Sequence, residues 1–242
     1  MKNILALILV LFAIPALSAP SDGFTITKSK KGYGTKGYQW NKMTTEQMDI
    51  LAKAGDIARG REAFRVCRGC HKPDGSGISD GTYPRLTGQH ATVTIKEVAD
   101  TRAGIRVNPK MEPFANEHAV SPQEIADIAV FLQAERTTKE NGKGPGDDVA
   151  RGKQVYEMTC ARCHGDRGEG SAEDFYPAVA SQHYGYLLRE LNFVKKGLRG
   201  NSHPKMVKAL QKYSDDDMEA LADYMSRMPD FHLSEAHSGE KK

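Results

Sequence analysis

Cys67-Arg-Gly-Cys70-His71 and Cys160-Ala-Arg-Cys163-His164 are the two stretches on which the reading of this chain turns. The pentapeptide Cys-x-x-Cys-His occurs twice in 242 residues and uses all four cysteines. Around it the chain repeats itself: Asp56-Ile-Ala-Arg59-Gly60 reappears as Asp148-Val-Ala-Arg151-Gly152, each copy leading into one motif. Counted from His71 and His164, Pro84 and Pro177 both lie 13 residues on, Gln89 and Gln182 lie 18 on, and Arg106 and Arg199 lie 35 on. Asn108 and Asn201 lie 37 on, and Ser121 and Ser214 lie 50 on. A register kept over that span is an internal duplication. It divides the chain into units at 56–137 and 148–229, joined by a polar, Gly-rich linker at 138–147.

The units read as helical. Ser121-Pro122 with Glu124 is a helix start with cap, first-turn proline and capping box, after which Ile125, Ile128, Ala129 and Leu132 recur at helical spacing. Ser214, Asp217, Met218, Leu221, Ala222 and Met225 repeat the pattern. Leu187, Leu188, Leu191 and Val194 mark another amphipathic helix, echoed more weakly by Val93, Ile95 and Val98. Strand alternation is nearly absent, so the expected fold is all-α, as two similar domains. At about 82 residues each unit is near the size where a hydrophobic core alone is marginal, so a bound apolar group would supply much of the interior.

Two thiols three positions apart, followed at once by an imidazole, suit haem: the thiols add to its vinyl groups as thioethers while the histidine coordinates iron. A disulfide framework leaves the repeated histidine unexplained. A zinc site built on either motif lacks a fourth ligand at usual spacing, and a thioredoxin-like dithiol wants a βαβ context that is missing here. Cys67, Cys70, Cys160 and Cys163 are therefore expected to carry two covalently bound haem c groups, with His71 and His164 on the irons.

The stretches from Cys67 to Tyr83-Pro84-Arg-Leu86-Thr-Gly88-Gln89 and from Cys160 to Tyr176-Pro177 resemble class I cytochromes c, and more narrowly the two-haem cytochrome c4 family. Tyr186-Leu-Leu-Arg-Glu-Leu191, Arg199-Gly-Asn201 and Tyr213-Ser214 are similar to that family too. The resemblance runs from residue 56 to 229 and implies two tandem class I cytochrome c domains. It implies Met111 and Met206 as the second axial ligands of the irons, with His203 the competitor in the second unit and His90 and His183 weaker ones. It also implies Pro84 and Pro177 as carbonyl acceptors behind His71 and His164. One departure stands out. Gly152, Tyr156 and Cys160 are spaced by fours, whereas Gly60, Phe64 and Cys67 fall one residue short.

With both irons taken by His and Met, no position is open for a substrate, and the expected role is that of an electron carrier rather than an enzyme. It would pass single electrons from a respiratory donor to a terminal oxidase or reductase. The rivals are a haem enzyme, of peroxidase or thiosulfate-oxidising type, and the cytochrome subunit of a dehydrogenase complex. The expected partners are redox proteins at a membrane; neither nucleic acid nor a small-molecule substrate is expected.

Composition bounds the rest. Hydrophobic residues at 39% and charged residues at 27% exclude a disordered chain or a polytopic membrane protein, and a net charge of +3 is too small to mark a nucleic-acid binder. Residues 1–19 have a signal-peptide layout: Lys2, an apolar run from Ile4 to Ile14 too short to span a bilayer, then Pro15 and small residues. Cleavage is expected after Ala19 or Ser18, placing the mature protein in the periplasm without an integral membrane span. Units 56–137 and 148–229 are each charge-neutral, so the excess lies in the N-terminal extension, 20–55, with six Lys against three acids. Its Tyr33, Tyr38 and Trp40 read either as a docking arm for an acidic partner or anionic lipid, or as a tail covering a domain seam. Residues 230–242 form a C-terminal tail.

Overall fold

Two glycines at matching places decide how each domain closes. In the computed structural model, which describes residues 25–29, 32–36, 38–40, 42–136 and 139–229, a Cβ on Gly60 would sit 2.1 Å from the carbonyl oxygen of Asp127, and one on Gly152 would sit 2.0 Å from that of Ala220. The first helix of each domain thus packs backbone to backbone on the last, an approach only glycine permits.

The chain opens with strands β1 (Thr25–Ser29) and β2 (Gly32–Lys36), paired antiparallel from Thr25↔Lys36 to Ser29↔Gly32. This hairpin in the extension is the departure from a wholly helical reading. Its glycines and polar residues give no alternating apolar face to read. Helix α1 (Thr45–Leu51), capped by Thr44, follows. The first domain comprises α2 (Ile57–Ala63), α3 (Arg68–His71), α4 (Ala91–Arg102), α5 (Glu112–Ala115) and α6 (Pro122–Ala134). The second repeats them as α7 (Val149–Val155), α8 (Ala161–His164), α9 (Tyr184–Lys195), α10 (Pro204–Leu210) and α11 (Asp215–Arg227). Ser121 and Ser214 cap α6 and α11 through full capping boxes. Residues 1–24, the 137/138 boundary and residues 230–242 lie outside the described residues, and with them the signal peptide and the tail.

The one-residue discrepancy between the repeats is resolved by two kinds of helical turn. After α2 the chain tightens into a 3₁₀ turn, Phe64–Val66; after α7 it widens into a π turn, Tyr156–Cys160. A π turn is a single-residue insertion absorbed within a helix. Phe64 and Tyr156 consequently both reach their cores, at 1% and 0% exposure, and Cys67 and Cys160 take nearly the same backbone conformation, with φ −98° and −94°.

The two cores are separate. Phe64, Ile95, Ala99, Ile125, Phe131 and Leu132 fill the first; Tyr156, Leu187, Leu191, Met218, Leu221 and Met225 fill the second. The extension contributes to the first core: α1 lies on α4 and α6 and buries Ile50 completely. The linker does not hang free. Gly142 passes so close to Ser79 that a Cβ would overlap its carbonyl oxygen, Asn141 donates to the carbonyls of Gln182 and Ser226, and Gly146 N–H donates to Asp223.

The domains meet across a seam with approximate two-fold symmetry. Gln89 donates to the carbonyl of Ala178 and accepts from its N–H (3.1 and 3.0 Å); Gln182 does the same with Arg85 (2.8 and 2.9 Å). His90 Nε2 donates to the carbonyl of Glu169, and His183 Nε2 to that of Ser76, both at 2.8 Å. In the middle, Glu97 pairs with Arg106 (2.6 Å) and Arg199 (2.9 Å), and Glu190 with Arg199 (2.7 Å) and Arg106 (3.4 Å). Every pair is related by the same offset as the haem motifs. A duplicated chain that dimerises with itself must present each contact twice.

Candidate haem-binding sites

Each Cys-x-x-Cys-His begins at a helix start, with Cys67 and Cys160 as the residues before α3 and α8. Spacing of i and i+3 on one helical turn places both sulfurs on the same face. The imidazole follows on the next position. Immediately after it the chain reverses through a positive φ, 66° at Lys72 and 77° at Gly165, which ends the helix and starts the loop that runs back beneath the histidine.

That loop brings in the prolines. His71 Nδ1 lies 3.1 Å from the carbonyl oxygen of Pro84, and His164 Nδ1 lies 2.9 Å from that of Pro177. A carbonyl only accepts, so Nδ1 carries the proton in both rings and Nε2 keeps its lone pair. Burial pulls both imidazoles below the ordinary histidine value, against the opposite pull of the proline carbonyls, so they stay neutral.

The cysteines are all unpaired thiols, partly buried. Burial, with a smaller push from the neighbouring cysteine, raises Cys67 to about 11 and Cys160 to about 12. A thiol that attacks in disulfide exchange needs a lowered value, so Cys67 and Cys160 are not built for that role. Two thiols on one helical face beside an imidazole with a free Nε2 fit a haem, and they do so twice. Among the described residues no group of three His, Cys, Asp or Glu side chains is arranged to hold a metal ion by itself.

The methionines stand in different settings. Met111, half-buried, is the residue before the single turn α5. Met206 lies in the first turn of α10 and packs against the second core. The competing histidines are engaged elsewhere. His183 Nδ1 accepts from Gly142 N–H (3.0 Å) while Nε2 donates to Ser76, which leaves no lone pair. His90 faces Glu169 across the seam, and His203 Nδ1 caps α10 by accepting from Lys205 N–H (3.0 Å).

Sequence reasoning missed the seam. Arg106 and Arg199 were visible as an in-register pair without a role, and Glu97 and Glu190 keep the same register unnoticed. The seam is not a local pattern; the signal was the offset itself, applied to every charged residue. At Glu97, burial would raise the carboxyl, but Arg199 and Arg106 outweigh it and hold it far below the usual carboxylate range.

Comparison with known proteins places the chain. The family described as cytochrome c matches residues 57–135 and again 149–229. The cytochrome c4 of Azotobacter vinelandii is 28% identical over 189 residues, covering 71% of this chain and 89% of that protein. A thiosulfate dehydrogenase electron acceptor of Stutzerimonas stutzeri is 32% identical over 176 residues, covering 69% and 80%. Reduced cytochrome c4 from Pseudomonas stutzeri shares the fold with a TM-score of 0.65 at 24% identity, covering 73% of this chain and all of that one.

Proposed function

Because this chain belongs to the cytochrome c family, as two tandem domains of the cytochrome c4 type that carry two covalently bound haem c groups, we propose that it works as a periplasmic electron carrier between a respiratory donor and a terminal oxidase or reductase. Bound haem supplies a one-electron ferric/ferrous couple. The protein sets the conditions for it. His71 and His164 would hold the irons through Nε2, oriented by the carbonyls of Pro84 and Pro177. Met111 and Met206 would be the second ligands, and their thioethers would favour the ferrous state and raise the potential. With two protein ligands to each iron, the protein would exchange electrons and offer no position for a substrate.

The observation that carries this reading is the doubling of one arrangement. In both domains an imidazole donates to a proline carbonyl, at 3.1 and 2.9 Å, and a methionine follows, 40 residues after His71 and 42 after His164. A haem enzyme would need one iron with an open or displaceable position. The likeness to a thiosulfate dehydrogenase electron acceptor supports a thiosulfate-oxidising enzyme as the donor. No helix among the described residues is long and apolar enough to cross a membrane.

The decisive experiment is a redox titration followed by absorbance in the native holoprotein and in Met111→Ala and Met206→Ala. Each substitution should abolish about half of the near-infrared methionine-to-iron band and lower one of two potentials. The unsubstituted ferrous protein should not bind carbon monoxide; rapid binding would overturn the carrier assignment in favour of an enzyme. Intact mass of periplasmic material should show two haems and loss of residues 1–19 or 1–18.

A further inference from the structure

Two duplicated sites should have duplicated surroundings, so a side chain that contacts one site alone marks what distinguishes them. At the first site Lys110 Nζ stands 5.7 Å from the centre of the Tyr83 ring. The matching pair at the second site is His203 and Tyr176, with rings 6.1 Å apart. Onto that second pair the extension lays Trp40. Its indole stacks on Tyr176 (5.9 Å between centroids, 20° between planes), leans on His203 (5.1 Å) and donates Nε1–H to the carbonyl of Asp174 (3.2 Å).

The indole is anchored from the other domain. Lys96 Nζ lies 4.7 Å from its ring, bonds Tyr38 Oη at 2.9 Å and pairs with buried Asp100. Lys96 and Asp100 belong to α4, and Asp100 also accepts from Asn201 across the seam (2.9 Å). The residues matching Lys96 and Asp100 in the second domain are Arg189 and Phe193, so the anchor exists once.

What Trp40 touches is specific. Tyr176 precedes Pro177, whose carbonyl faces His164, and His203 begins the segment that carries Met206. One residue therefore spans the segment whose carbonyl holds His164 and the segment that carries Met206. We propose that Trp40 is a positioning residue for the second haem: it ties the His203–Met206 turn at the start of α10 to the Tyr176–Pro177 loop and to the first domain, holds Met206 in place, and separates the second haem's potential from the first's. The inference rests on the assignment of Met206 as a ligand. An aromatic stack and a cation–π contact together are strong enough to change the opening of such a loop by about tenfold.

The test compares holoprotein, Trp40→Ala and Trp40→Phe, with the second potential identified as the one that Met206→Ala lowers. In Trp40→Ala that potential should fall and the other stay, the methionine-to-iron band should weaken by up to half, and one ferrous haem per chain should take up carbon monoxide, which the native protein does not bind. Trp40→Phe keeps the stack without the N–H bond, is expected to fold as the native chain does, and should restore most of each effect. Unchanged potentials and band in Trp40→Ala overturn the inference alone, as does an equal shift of both potentials. A native protein with no methionine-to-iron band overturns the ligand assignment, and the inference with it.

Discussion

Lys72 and Gly165 occupy the same place, directly after the haem histidine, with φ 66° and ψ 157° at Lys72 and φ 77° and ψ 161° at Gly165. That region is nearly closed to residues with a Cβ and costs of order 1–3 kcal/mol. The turn is needed in both domains, because it swings the loop back to put the proline carbonyl under the imidazole, but the first domain makes it with the wrong residue. Lys72→Gly should stabilise the first domain by about 1 kcal/mol and raise its melting temperature by a few degrees in a thermal scan. A fall would show that the lysine side chain compensates the strain. The thiols and the imidazoles at this scale were legible from spacing, since the covalent chemistry is local, whereas the role of the prolines came from the family resemblance. The engagement of His183 was not, because its partners Gly142 and Ser76 lie 41 and 107 positions away.

Among the elements, the 3₁₀ and π turns show how two connections of unequal length, Phe64 to Cys67 and Tyr156 to Cys160, reach one geometry. Met158 is 77% exposed in the middle of the π turn and supports no packing. Its removal would give the second domain the spacing of the first, Gly-x₃-aromatic-x₂-Cys. Deletion of Met158 should leave two haems per chain by pyridine haemochrome and shift the melting temperature by no more than a few degrees. Deletion of Lys153, before Tyr156, would instead turn the buried face of α7 by about 100°, and should abolish attachment at Cys160 and Cys163. The glycine contacts behave oppositely. Gly152→Ala drives a methyl into the Ala220 carbonyl, and a loss of about 3 kcal/mol in denaturant unfolding is expected. The helices themselves were readable from their caps and periodicity. Helix α1 escaped because a seven-residue helix carries too few turns to show a stripe, and its one buried anchor, Ile50, looks like any other apolar residue.

For the whole molecule the seam dominates. Glu97 is shared by Arg106 and Arg199, with Lys96, Asp100 and Asn201 packed around it. Glu97→Gln leaves two buried guanidinium groups short of charge and should cost about 3 kcal/mol, seen as separate melting of the domains in calorimetry. The pH dependence follows from the direction of its shift. A carboxyl whose folded value is depressed adds stability that is complete above the ordinary glutamate value of about 4.3 and disappears as pH falls through the folded value. Asp100 moves the other way, since burial and Glu97 outweigh Lys96 and raise it, so it takes up its proton earlier and opposes part of the loss. The native chain should therefore keep its seam down to about pH 4 and lose it below. Glu97→Gln should flatten that acid limb when unfolding is followed by far-UV circular dichroism.

Read by itself, the order of residues established the duplication, the helical class and the haem-attachment motifs, because thioether formation, helix caps and the i, i+3 turn depend only on near neighbours. It also disclosed, as unexplained coincidences of register, the glutamines and arginines that join the domains. Tertiary structure alone decided that those residues face each other, that Ile50 completes the first core, and that Trp40 reaches across 134 positions to the second site. The physical reason is one of range. A buried ion pair or an aromatic stack is created by a partner far along the chain, and the local sequence on either side carries no trace of which partner the fold will deliver.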